Sequence, residues 1–138
     1  MIKIVRGIPG SGKSTFAKNY FKGINHIEAD QFHITNGVYT FKSENLKYAH
    51  EWCQSICAFF LNQGSDCIVS NTFIHEAHIE PYYEMAEHFH TSVEVYRMYS
   101  IYESIHGVPQ DTIDKMRRSM HDIPGEKKVT FTDRYIID

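Results

Sequence analysis

The chain has 138 residues, 42% of them hydrophobic and 14% aromatic, with a formal net charge of −3. That length suits one domain spanning residues 1–138, and that apolar content suffices for a core. The acidic balance argues against wrapping a long nucleic-acid backbone, which needs a broad basic surface, but leaves room for gripping one nucleotide at a strand end.

No apolar run approaches the roughly 18 residues that a membrane span requires, and the first residues enter a strand-like stretch without the layout of a signal peptide. Cys53, Cys57 and Cys67 contain no CxxC pair and read as reduced core residues. A cytoplasmic protein is expected.

Residues 2–5, "IKIV", form an apolar run ending before Gly7, as a buried strand would. A helix is predicted from about Lys13 to Lys22, stopped by Gly23. "HIEAD", residues 26–30, reads as a second strand ending on an acid. A longer helix fits residues 43–63: Ser43 can cap it, Gly64 closes it, and Leu46, Ala49, Cys53, Ile56 and Phe60 share one face, with Trp52 among its apolar neighbours.

"DCIVSNT", residues 66–72, is a third strand followed by a polar turn. Ile79, Tyr82, Tyr83, Ala86 and Phe89 mark another helix, with Pro81 tolerable only in its first turn. Residues 91–99 are a fourth strand, residues 109–121 a last helix, and residues 127–131 an edge strand. Strands alternating with helices call for parallel pairing. The expected fold is a three-layer α/β/α sandwich with a mostly parallel sheet of about four to five strands.

Gly7, four intervening residues and then Gly12-Lys13-Ser14 match the P-loop pattern G-x-x-x-x-G-K-[ST]. Gly7, Gly10 and Gly12 remove side chains so that successive N–H groups can point at phosphate oxygens, and the following helix adds its positive end. The loop Gly7–Thr15, including Pro9 and Ser11, is thus the candidate site for ATP. Lys13 would sit between the β- and γ-phosphates, and the Ser14 hydroxyl would ligate Mg²⁺. Asp30 follows the second strand, where parallel sheets open their ligand crevice. It could take the proton from an attacking hydroxyl; the alternative is a turn residue capping a helix near Gln31.

The blocks "GIPGSGKST", "EADQFH", "NGVYTF", "AHEWCQ", "SNTFIH", "PYY" and "HGVP" occur in the order seen in the P-loop polynucleotide 5′-hydroxyl kinase family, which the chain resembles over nearly its whole length. That family includes the T-even phage kinase domain and a related animal kinase-like module. The resemblance implies ATP-dependent phosphorylation of a 5′-hydroxyl on a nucleic-acid end or nucleoside, with Asp30 as general base. Tyr39 and Phe41 could stack on an acceptor base or simply pack.

Three positions depart from the family pattern. His33 stands where an arginine would bind an acceptor phosphate. Ser70 and Asn71 stand where an acid would lie near Mg²⁺ or acceptor. No arginine occurs between Arg97 and Arg117, where the family carries a lid before "HGVP"; Arg117 and Arg118 could compensate by pointing at ATP.

"HEAHIE" lacks a histidine at position 79, so a zincin site is not expected. A small-molecule kinase, a plain ATPase and a catalytically decayed nucleotide-binding module remain open alongside the leading reading.

Overall fold

Every residue of the first strand, β1 (Ile2–Arg6), is buried except the half-buried Lys3, the mark of a strand covered on both faces. The computed structural model describes residues 1–35, 37–99 and 109–138. In chain order follow α1 (Lys13–Tyr20), β2 (Asn25–Glu28), β3 (Ile34–Thr35), β4 (Val38–Tyr39), α2 (Leu46–Asn62), β5 (Cys67–Asn71), α3 (Glu80–His88), β6 (Val93–Met98), α4 (Gln110–Ser119), β7 (Lys127–Phe131) and β8 (Tyr135–Ile137).

Six strands form one sheet in the order β2-β5-β1-β6-β7-β8, and β3 and β4 form a separate hairpin. The first five strands of that order run parallel, so their C-terminal ends share one edge; only β8 is antiparallel to its neighbour. Strand alternation divides the core. Ile2, Ile4, Cys67 and Val69 pack under α2 and α3 against Ala49, Cys53, Cys57, Tyr82 and Ala86. Val5, Ile68, Tyr96 and Val129 face the other way, onto Phe16 and Ala17 of α1. A third cluster packs Ile113 of α4 and Met120, just past its end, against Ile8 of the glycine-rich loop.

The three-layer arrangement is as expected, with six strands rather than four to five. The extra strand is β8, three residues long and too short to carry a periodicity; it pairs with β7, which is therefore interior. The long helix begins at Leu46, after a tight turn over Ser43–Asn45, and Ser43 does not cap it. Leu46 itself is 44% exposed, off the packed face. Gly64 ends α2 at φ 77°, with its N–H on Leu61 and that of Ser65 on Phe60. The three cysteines are free and buried; desolvation pushes the Cys53 thiol up to about 11, so it behaves as a small apolar group. The segment before "HGVP" falls at residues 100–108, outside the described residues. Among the described residues no helix is long and apolar enough to cross a membrane.

A polar anchor lies inside this apolar frame. Arg6, the last residue of β1, is fully buried. Its guanidinium donates to the carbonyls of Phe73 (2.9 Å), Ile74 (3.0 Å) and His121 (2.8 Å) and pairs with Glu126 at 2.6 Å. Glu126 also meets Arg97 at 3.3 Å. Phe73 has φ 46°, a left-handed conformation that costs a non-glycine residue about 1 kcal/mol, and the Arg6 bond holds its carbonyl in place. Glu126→Ala leaves a buried guanidinium without its counter-charge. Urea denaturation is expected to show a loss of about 3 kcal/mol, whereas a change below about 1 kcal/mol would mean that the carbonyls alone satisfy Arg6.

Candidate active site

The glycine-rich loop leaves the C-terminal end of β1, in the middle of the parallel sheet, and closes on the first turn of α1. Its path requires glycine at Gly10 and Gly12, with φ 80° and 84°. Gly7 is required by space: a Cβ there would lie 2.5 Å from the Ser11 hydroxyl and 3.1 Å from Cβ of Met98. The loop is laced internally. The Ser11 N–H and hydroxyl both donate to the Ile8 carbonyl, at 3.2 and 2.7 Å, and Gly7 N–H donates to Thr72. Ser11 is therefore fully buried, its side chain bracing the loop from within.

Pro9, Gly10, Gly12, Lys13, Ser14 and Thr15 line one wall of a cleft of about 1070 Å³. The Lys13 ammonium folds back onto the Ile8 carbonyl at 3.0 Å. Burial pulls its pKa from an ordinary 10.5 down to about 8, against the upward pull of the Glu28 and Asp30 carboxylates. The Ser14 hydroxyl donates to Glu28 Oε2 at 2.5 Å.

The ends of β2 and β5 supply the second wall. Asp30 is exposed in the tight helical turn Ala29–His33, directly after β2. Asn71 sets the start of that turn: its carboxamide oxygen accepts the Ala29 N–H at 2.8 Å, and its NH₂ faces the Cys53 sulfur at 4.0 Å. Asn71 lines the cleft with its carboxamide already engaged. Ser70 is also buried, 2.7 Å from His26 Nε2. Burial lowers the His26 pKa, opposed by nearby Glu28.

Tyr39, on the β3–β4 hairpin, donates to Asp30 Oδ1 at 3.4 Å; desolvation and the Asp30 charge push its phenol up, so it stays a donor. His50, Gln54 and His78 complete the far wall.

Two expected site groups lie elsewhere. His33 is buried behind the cleft, its ring edge-on to Phe41 at 5.1 Å, beside a separate cavity of about 290 Å³. Burial took it because it ends the turn with its face against aromatic neighbours. Arg117 and Arg118 are exposed on α4 and lie outside the cleft wall among the described residues. Sequence reasoning passed over Glu28, Arg6, His50 and His78. For Glu28 a signal existed: it stands two residues before Asp30 at a strand end, so both acids reach the same crevice.

The donor set suits a triphosphate with a hard divalent cation. The loop can close on α1 only because Gly7 carries no Cβ to meet Ser11 and Met98, α1 presents its N-terminus to the cleft, and a hydroxyl and a carboxylate stand beside it, the kind of oxygen ligands that Mg²⁺ takes alongside phosphates and water.

Comparison with known proteins agrees with this architecture. A family model described as an AAA domain (AAA_33) matches residues 2–99. An uncharacterized protein of Pasteurella multocida is 32% identical over 142 residues, covering 91% of this chain and 79% of its own length. NEDD4-binding protein 2 of Homo sapiens is 33% identical over 92 residues; the match covers 63% of this chain and 5% of that much longer protein. Among solved structures, a gluconokinase from Sinorhizobium meliloti superposes with a TM-score of 0.64 at 15% identity, covering 96% of this chain and 83% of its own. That likeness is one of fold. The matches support a P-loop kinase-like domain without singling out one kinase family within it. The chain belongs to the AAA domain family that this model describes.

Proposed function

We propose that residues 1–138 form one ATP-dependent phosphotransferase unit that moves a γ-phosphate onto a hydroxyl, with the 5′-OH of a nucleoside or polynucleotide end as leading acceptor. The observation that carries it is that Asp30 opens into the same cleft as Lys13 and Ser14, so a base and a phosphate cradle face one volume.

In this reading the amides at the start of α1 and the Lys13 ammonium hold the triphosphate. Asp30 accepts the proton as the acceptor oxygen bonds to the γ-phosphorus and the bond to the β-phosphate oxygen breaks, releasing ADP. The Ser14 hydroxyl would ligate Mg²⁺, which would supply positive charge to the triphosphate.

Tyr39 favours a nucleoside-like acceptor. It is 54% exposed, borders the cleft and is tied to Asp30, so a base stacked on its ring would place the attached hydroxyl near the carboxylate. The burial of His33 outside the cleft lining favours an acceptor without a neighbouring 3′-phosphate. The polar wall of α2, where Lys47, His50, Glu51 and Gln54 face the cleft, favours a second reading, a small polyol acceptor. The buried, reduced cysteines support a cytoplasmic site of action.

A screen of nucleosides, oligonucleotides and sugars with γ-labelled ATP tests the reading. Transfer to a 5′-OH is expected, reduced about 10²–10⁴-fold by Asp30→Ala and lost in Lys13→Ala. Label on sugars alone would select the second reading. Phosphate release without transfer would leave an ATPase, and nucleotide binding without turnover a decayed module.

Lys13 also sets a pH dependence. Its folded value of about 8 lies below its unfolded 10.5, so between those values the unfolded chain binds more protons and stability rises with pH. Urea denaturation of the nucleotide-free protein from pH 8 to 10 is expected to show a more positive slope for wild type than for Lys13→Met. Parallel slopes would mean that Lys13 stays charged in the fold.

A further inference from the structure

The kinase-like domain needs negative charge beside the Ser14 hydroxyl if a divalent cation is to be held there, and the end of β5 offers none. Ser70 is buried and bonded to His26, and the Asn71 carboxamide is taken up by Ala29. Across the ladder, however, Ser70 is the register partner of Glu28 on β2. One step sideways in the sheet, at the same height, stands a carboxylate. It is also the group to which Ser14 donates its proton, at 2.5 Å, a distance typical of a strong hydroxyl–carboxylate bond.

We propose that Glu28 is the cation-site carboxylate of this protein, replacing on β2 the charge that is absent from the end of β5, and that it orients Ser14 for the metal. The inference rests on the nucleotide-binding reading above.

A serine hydroxyl has one proton and two lone pairs. With the proton committed to Glu28, both lone pairs stay free for a hard cation that would be held with the phosphates at the mouth of α1. A carboxylate has about four acceptor sites; the Ser14 proton takes one and the Gln31 N–H, which Glu28 caps at the start of the turn, takes another, leaving others for a metal-bound water. Mg²⁺ keeps several waters and is satisfied by one or two carboxylates together with phosphates, so a single acid on a neighbouring strand is sufficient. Glu28 and Asp30 then have separate duties, although only Ala29 stands between them. Glu28 is half-buried and turned to Ser14, whereas Asp30 is exposed and turned to the open cleft.

Glu28→Gln keeps the size of the side chain and removes its charge. Two affinities are measured: that of Mn²⁺ for the complex with a non-hydrolysable ATP analogue, followed by loss of the free-Mn²⁺ EPR signal, and that of the analogue alone in EDTA. Loss of the carboxylate is expected to weaken Mn²⁺ roughly tenfold or more. Metal-free nucleotide should bind as well as in wild type or more tightly, because a negative charge next to the triphosphate is gone.

Retained metal-free binding also shows that the variant is folded. The inference is overturned if Mn²⁺ affinity stays within about twofold of wild type, or if both affinities fall together, as a merely structural role would produce. Failure of wild type to bind the analogue, with or without metal, would instead overturn the kinase reading, and this inference with it.

Discussion

The buried guanidinium of Arg6 is the constraint on which the site depends. It stands at the last position of β1, immediately before Gly7, and therefore at the root of the phosphate loop. Three of its bonds go to backbone carbonyls, of Phe73, Ile74 and His121, and the fourth contact is the ion pair with Glu126. Two of those carbonyls belong to the segment after β5 that lines the cleft, and Glu126 directly precedes β7. One side chain thus ties the loop that would hold phosphate to the cleft wall and to the C-terminal strands. Burial pulls its pKa down and Glu126 pulls it back up, but a guanidinium remains charged in either case. Had this position been lysine, the planar fork that reaches several acceptors at once would be missing.

Parallel sheet geometry explains how charge can move between strands without the site moving. Neighbouring strands lie about 4.8 Å apart, and paired residues present their side chains at the same height. The Glu28–Ser70 pairing therefore allows an acid on either strand to reach the mouth of α1. The polar residues at the end of β5 have taken another duty. Asn71 holds the Ala29 amide, which fixes the turn that carries Asp30. Read along one strand, the site lacks an acid; read across the sheet, it has one.

The legible parts of the sequence were those where local chemistry dictates the outcome. The apolar runs of β1 and β5, the glycine-rich loop and the α2 face at Ala49, Cys53 and Ile56 each follow from burial, periodicity or a required backbone conformation, and all were readable. The strand β8 was not, because three residues paired to a neighbour carry no pattern of their own.

The site divided in the same way. Lys13, Ser14 and Asp30 stand at positions that motif and topology both single out, and they line one cleft. His33 and Arg118 were weighed by residue type, and type says nothing about direction: His33 turns inward to Phe41, and Arg118 stands out on α4. Arg6 and Glu126 were invisible because their pairing spans |i−j| = 120 and neither belongs to a motif.

The electrostatics of the cleft bear on how such a site would discriminate its ligands. Lys13 lies close enough to Glu28 and Asp30 for both to raise its pKa, and burial still outweighs them. A triphosphate entering alone would gain Lys13 and the helix N-terminus but would meet two carboxylates in a partly desolvated space, where repulsion is stronger than in bulk water. Entering with a divalent cation, it turns one of those repulsions into an attraction. Acidic charge beside a phosphate loop therefore weakens free nucleotide and favours the metal complex, a discrimination made by unfavourable contacts as much as by favourable ones. Asp30 stands exposed on the open side of the cleft, its Oδ1 accepting from the Tyr39 phenol. Two carboxylates two residues apart, Glu28 half-buried against Ser14 and Asp30 exposed beside Tyr39, thus stand in two different environments, the kind of difference that can give one functional group two roles.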